Sequence, residues 1–165
     1  MNPPKPIAPA NGQESVWDYP RPPRLEPTSH RIVIEFNGET IVDSRHQWRV
    51  LETSHPPVYY IPPEDVRLEF LAPEYQTTLC EWKGVARYYG LDVSGKTAEG
   101  VAWCYPEPAA AFESIAHHLA FYPGRVDRCL LNGEIVRPQP GHFYGGWVTN
   151  GIVGPFKGDP GSDLW

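Results

Sequence analysis

The chain has 165 residues, a formal net charge of −6, 20 prolines and an aromatic share of 13%. A negative balance of that size leaves no general electrostatic footprint for nucleic acid or an anionic membrane surface, and no apolar run approaches the ~20 residues that cross a bilayer. The expectation is one hydrophobic core without metal or disulfide staples, in a soluble protein of the cytoplasm where Cys80, Cys104 and Cys129 stay reduced.

Residues 1–13 are rich in proline and poor in apolar groups, and read as a disordered N-terminus with no apolar stretch of a secretory signal. Residues 14–30 form an extended Pro-rich arm whose Trp17, Tyr19 and Leu25 pin it to the body. Residues 31–158 read as a single domain, and 159–165 as a C-terminal tail. In that domain Asn37-Gly38, Ser94-Gly95 and Asn132-Gly133 are hairpin signals between strand-like runs. Strands are expected at Arg31–Phe36, Glu39–Asp43, Gln47–Thr53, Val58–Ile61, Val66–Leu71, Thr77–Trp82, Val85–Val93 and Ala98–Tyr105, with a last hairpin over Val126–Leu131 and Glu134–Arg137. Phe112, Ile115, Ala116 and Leu119 recur at helical spacing after Pro108 and before Pro123-Gly124, so one main α-helix is predicted over about 109–121. The fold class is therefore β-rich α+β.

The stretch Trp48–Val66 concentrates the chemistry. In a strand, Trp48, Val50 and Glu52 share a face, which puts the Glu52 carboxylate at the inner end. A carboxylate there is either paired in a structural salt bridge, with Arg49, Lys83, Arg87 or Arg125 as partners, or serves as a general acid/base or ligand anchor. Ser54 and His55 are adjacent in a Pro-bounded turn, a poor arrangement for a nucleophile and its base. Tyr59 and Tyr60 alternate faces, one for the core and one for a cleft. Trp82, Gly84, Ala86 and Tyr88 leave a slot between aromatic walls. Cys80 reads as a small buried hydrophobe or, alternatively, a reactive thiol. His117 and His118 lack the i, i+4 spacing of a helical metal pair. No metal site and no cofactor are expected.

The motifs LETSHPPVYYIPPEDV, CEWKG, AWCYPEP, FYPGRVD and FYGGW occur in that order. Together they resemble the bacterial family catalogued as domain of unknown function 427, also labelled nucleotidyltransferase-like, over about residues 14–158. The resemblance implies a β-tent type fold, with two antiparallel sheets meeting at a steep angle around a cleft. Zinc is not implied, because the Cys pairs that hold it in other β-tent proteins are absent here. Nor is nucleotidyl transfer carried over: Gly161-Ser162 is followed only by Asp163, Leu164 and Trp165, not by acidic pairs. Glu52, Tyr60, Trp82, Lys83, Tyr105 and Tyr122 fall within the family's motifs and are the candidate ligand-binding residues, with Glu52 and Lys83 the catalytic candidates.

Two functions follow as expectations. One is a small-molecule-binding domain, with or without catalysis, whose cleft is lined by aromatics and a Glu52/Lys83 pair. The other is a protein-interaction module that uses the Pro-rich arm while the motifs serve the fold. A third class, redox chemistry, rests on the cysteines. The pattern specifies no oligomeric state.

Overall fold

The computed structural model describes residues 4–165. Its strands are short. In chain order they are β1 (Glu14–Ser15), β2 (Arg24–Thr28), β3 (Ile32–Phe36), β4 (Glu39–Ser44), β5 (Gln47–Leu51), β6 (Val58–Tyr60), β7 (Leu71–Cys80), β8 (Gly84–Val93) and β9 (Lys96–Cys104), followed by β10 (Ala120–Phe121), β11 (Arg128–Leu131), β12 (Glu134–Ile135), β13 (Arg137–Pro138), β14 (Trp147–Val148) and β15 (Ile152–Val153). Three sheets carry the architecture, with strand orders β10-β9-β8-β7, β12-β11-β3-β4 and β2-β5-β6. All their ladders are antiparallel.

The hairpin turns explain that topology. Asn37, Ser94 and Asn132 have φ of 47°, 50° and 49°, and each precedes a glycine that is also left-handed. Positive φ at both central residues is the geometry whose twist matches paired strands. These turns close β3–β4, β8–β9 and β11–β12.

Two packed layers result. The larger core gathers Ile32, Ile34 and Phe36 from β3 against Tyr59, Leu91, Val93, Val101, Phe121 and Trp147. The smaller gathers Val50, Tyr60, Ala86, Tyr88, Trp103, Tyr105, Phe112 and Ile115. β9 and β6 form the wall between them: Ala102 and Cys104 face one core and Trp103 the other, as do Tyr59 and Tyr60. β8 serves both cores by alternation: even positions (Ala86, Tyr88) pack in the smaller core and odd ones (Tyr89, Leu91, Val93) in the larger. Its register against β9 shifts between Tyr89 and Leu91. Gly90 sits at that bulge. A Cβ there would lie 2.6 Å from the Ala98 carbonyl oxygen, so no larger residue fits.

The predicted α-helix over 109–121 is absent. Residues Ala110–Ile115 form 3₁₀ turns broken at Phe112, Ala116 bridges to Tyr105, His117 has a φ of 60°, and Ala120–Phe121 is a strand paired with β9. The helical spacing of the apolar residues had a different cause. Phe112 and Ile115 fill the smaller core, whereas Leu119 fills the larger. A straight helix presents one face to one core, so it could not serve both. The strand expected at Val66–Leu71 is likewise replaced by two 3₁₀ turns, Pro63–Asp65 and Leu68–Phe70, and Val66 keeps only a single bridge to Val42. Pro62-Pro63 sets up the first of these turns.

Of the stretch expected to be a disordered N-terminus, residues 1–3 lie outside the described residues, and Ile7 N–H donates to the Gly154 carbonyl. The arm is joined to the body throughout. β1 pairs in parallel with β15, β2 pairs antiparallel with β5, Val16 is fully buried, and the Trp17 indole donates to the Pro155 carbonyl at 2.8 Å.

Candidate functional site

Between the sheet β2-β5-β6 and the sheet β10-β9-β8-β7 lies a half-open cavity of about 290 Å³. All six residues singled out from the motifs line it: Glu52, Tyr60, Trp82, Lys83, Tyr105 and Tyr122. They come from four separate parts of the chain. A wider depression of about 620 Å³ shares Thr78, Tyr88, Tyr122 and Phe143 with it and opens to solvent.

The floor is aromatic. The Trp103 indole N–H donates to the Tyr60 hydroxyl at 3.3 Å, and its ring centroid lies 4.6 Å from that of Tyr122. Tyr60 and Tyr105 are tilted against each other at 6.2 Å. Burial pushes the phenols of Tyr60 and Tyr105 well above their ordinary range, and that of Tyr122 up to about 12. These three tyrosines therefore present neutral hydroxyls near neutral pH.

Lys83 ends the turn that joins β7 to β8, just before Gly84, whose φ is 110°. The Ala109 N–H donates to the Lys83 carbonyl at 3.0 Å, which carries the 3₁₀ segment over the lysine. Its ammonium nitrogen then lies 5.7 Å from the Phe112 ring centroid and 5.9 Å from that of Tyr105. The residue is only 9% exposed, yet among the described residues no carboxylate lies within ion-pair distance of it. Cation–π attraction at the outer limit of its range offsets only part of the desolvation of an ammonium.

The expected Glu52/Lys83 pair is therefore not an ion pair. The Glu52 carboxylate instead lies 3.6 Å from the Arg21 guanidinium and 3.9 Å from Nδ1 of His55. Arg49 is engaged by Glu14 and Glu26, and Arg125 by the Gly100 and His142 carbonyls. Sequence reasoning passed over Arg21 because it lies in the arm, thirty-one positions upstream of Glu52.

The sequence puts His55 in a turn, and the backbone has that form: its N–H donates to the Glu52 carbonyl at 3.0 Å, and Ser54 adopts a φ of 70°. The turn also carries the imidazole into the cavity wall beside Tyr144, whose ring centroid is 5.2 Å away. Nδ1 of His55 donates to the Thr53 carbonyl at 2.9 Å, because a carbonyl can only accept. Nε2 is then the acceptor nitrogen of the neutral ring. Burial pulls the His55 pKa below its ordinary value, against the opposing pull of Glu52. Ser54 is fully buried and does not line the cavity.

Cys80 also lines the cavity, and all three cysteines are free. Burial raises the thiol pKa of Cys104 and Cys129, the opposite of what a reactive thiolate needs. Among the described residues, no group of three or more His, Cys, Asp or Glu is placed to hold a metal ion.

The model of the family described as domain of unknown function (DUF427), named NTP_transf_9, matches residues 24–132. The chain belongs to this family. The matched span runs from β2 through β11 and contains all six candidate residues. The segment 139–145 of this DUF427 chain lies beyond that span and adds Gln139, Phe143, Tyr144 and Gly145 to the cavity wall. No curated protein matches the chain.

Proposed function

We propose that this DUF427 domain binds a small planar molecule carrying an anionic group, with the anion on Lys83 and the planar part between Trp82, Trp103, Tyr105 and Tyr122. One observation carries the reading: Lys83, a largely buried residue, brings its ammonium to an aromatic-lined cavity where, among the described residues, it has no protein counterion. A buried cation is strongly favoured by any ligand anion that reaches it. The volume of about 290 Å³ sits at the small end of ligand cavities, which run to about 1,000 Å³, and suits a single-ring acid better than a nucleotide. The position of this cavity between two antiparallel sheets supports the tent-like description of the fold. Gly161-Ser162 lends no support to nucleotidyl transfer, since the Ser162 hydroxyl is buried and accepts from the Gly158 N–H within the tail. The arm's large side chains are engaged with the body, which favours the cavity over the arm as the binding element.

Titration with benzoate, phenylacetate, phenylpyruvate and indole-3-acetate tests the reading, using tryptophan fluorescence and the melting temperature as readouts. At least one acid should quench fluorescence and raise the melting temperature, and Lys83→Met should weaken that binding by about tenfold or more while leaving the fold intact. The reading fails if no acid binds, or if Lys83→Met binds them all as the unaltered chain does.

A further inference from the structure

Two polar groups on the cavity wall differ in kind: a cation, Lys83, and an imidazole, His55, that burial keeps toward its neutral form. Nδ1 of His55 is committed to the Thr53 carbonyl, the Glu52 carboxylate lies 3.9 Å from the same nitrogen, and the edge-on Tyr144 ring holds the plane of the imidazole. Among the described residues Nε2 has no hydrogen-bond partner, and the residue lines the cavity. This is the arrangement of a general base: one nitrogen anchored, the other presented to the ligand.

No activated nucleophile accompanies it. Ser54 Oγ is 3.5 Å from Nδ1, the nitrogen already donating to Thr53, and it is buried away from the cavity. A base and a cation in an aromatic cavity are sufficient for one reaction that needs no co-reactant, the movement of a proton within the ligand. We propose that the domain interconverts the keto and enol forms of aryl-substituted 2-oxo acids, with His55 as the catalytic base and Lys83 as the anchor of the carboxylate and its neighbouring oxygen. The proposal rests on the binding reading above and adds a reaction to it.

The step balances within the ligand. Nε2 of His55 takes the proton from the carbon between the ring and the carbonyl. The C–H pair becomes the C=C bond, and the carbonyl pair moves onto oxygen. Lys83 faces the resulting enolate oxygen and the carboxylate together. The imidazolium returns the same proton to that oxygen, giving the enol, and the reverse path gives the ketone. Burial weighs most on the protonation of His55 and opposes the imidazolium; Glu52 from its own turn and the Thr53 carbonyl favour it, while Arg21 from the arm and Lys157 near the C-terminal tail disfavour it.

The test uses the full chain and phenylpyruvate. Ketonisation of its enol is followed by ultraviolet absorbance, and binding is measured separately by tryptophan fluorescence. The unaltered chain should accelerate ketonisation by about 10²-fold or more, the range of a positioned acid–base group. The rate should fall in acid, at a pH below the ordinary histidine value of about 6.5, because burial lowers the pKa at which His55 takes up its proton. His55→Asn keeps an N–H near the Nδ1 position for Thr53 but has no base. It should bind phenylpyruvate within about threefold of the unaltered chain and lose the acceleration. His55→Gln, read by the same two measurements, guards against a local fault in the turn. Binding without acceleration in the unaltered chain overturns the proposal and leaves the binding reading standing. Acceleration that survives in a folded His55→Asn also overturns it. Absence of binding overturns both.

Discussion

Gly145 lies flat on the indole of Trp103. A Cβ built at Gly145 would penetrate Cη2 and approach Cζ3 and Cζ2 at 3.0 and 3.1 Å. Both residues line the cavity, so this contact shapes its wall. The segment is fastened from below by the Tyr122 hydroxyl, which donates to the Phe143 carbonyl at 3.1 Å, and by Arg125, which donates to the His142 carbonyl at 3.0 Å.

Gly145→Ala should therefore lift the segment or turn Trp103 out of its place against Tyr60 and Tyr122. Overpacking of this kind costs about 1–3 kcal/mol. The expected result is a lower melting temperature together with weaker binding of aromatic acids, because Trp103 forms the cavity floor. Urea denaturation and the fluorescence titration measure the two effects. Unchanged stability would mean that the segment moves freely off the indole.

Much of this site was legible before any coordinates. The six motif residues meet in one cavity because their motifs sit at strand ends and turns, where local sequence sets the geometry. Strand alternation separated Tyr59 from Tyr60 correctly, since each strand of the wall serves two cores. Three features were not legible. Glu52 meets Arg21 rather than Lys83, and a pairing across distant segments leaves no local trace. The irregularity of β8 against β9 at Gly90 is set by the close approach to Ala98, which comes from a neighbouring strand. The helix failed because apolar spacing records that residues are buried without recording in which core.

The three hairpin turns share one geometry but not one residue type. Asn37 and Asn132 occupy the left-handed position in two of them, and the exposed Ser94 occupies it in the third, at a φ of 50°. Asparagine tolerates that region better than serine. Ser94→Asn should stabilise the chain by a few tenths to about 1 kcal/mol, read as a shift in the urea midpoint with no change in slope. A destabilised variant would show that the Ser94 side chain has a role beyond the turn.

Arg49 anchors the arm. It is 8% exposed, and its Nη1 and Nη2 reach the Glu14 carboxylate at 2.8 and 3.0 Å, while Nε and Nη2 reach Glu26 Oε1 at 2.9 and 2.7 Å. Glu14 lies in β1, so the pair ties the first strand to β5. Glu14→Gln leaves a largely buried guanidinium with one carboxylate. The expected loss is about 1–3 kcal/mol, less than for a fully enclosed pair because both carboxylates keep contact with water. Arg49→Met breaks the same pair, so the double variant should lose less than the sum of the two single losses. A double variant weaker than the sum of the two single losses would refute this account of the pair.

Stability should depend on pH in a stepwise way whose signs follow from burial. Burial holds His30 and His55 below their ordinary pKa of 6.5, so near that pH the unfolded chain binds more protons than the folded one. Stability is then full above about pH 6.5 and falls as pH drops from there through the folded values. Hydrogen bonding from Arg49 holds Glu14 below its ordinary 4.5, which adds a second loss at lower pH. On the alkaline side burial raises the buried phenols, Tyr60 and Tyr105 among them, above their ordinary 10, so stability falls again as pH climbs past 10. Urea denaturation from pH 4 to 11 should show a plateau between the first acid step and the alkaline loss. His55→Asn should shrink the step below pH 6.5 without abolishing it, since His30 remains, and Glu14→Gln should remove its share of the lower step. A profile that stays flat from pH 7 to pH 5 would show that neither imidazole is held neutral by the fold, and it would remove the neutral base on which proton transfer in the cavity depends.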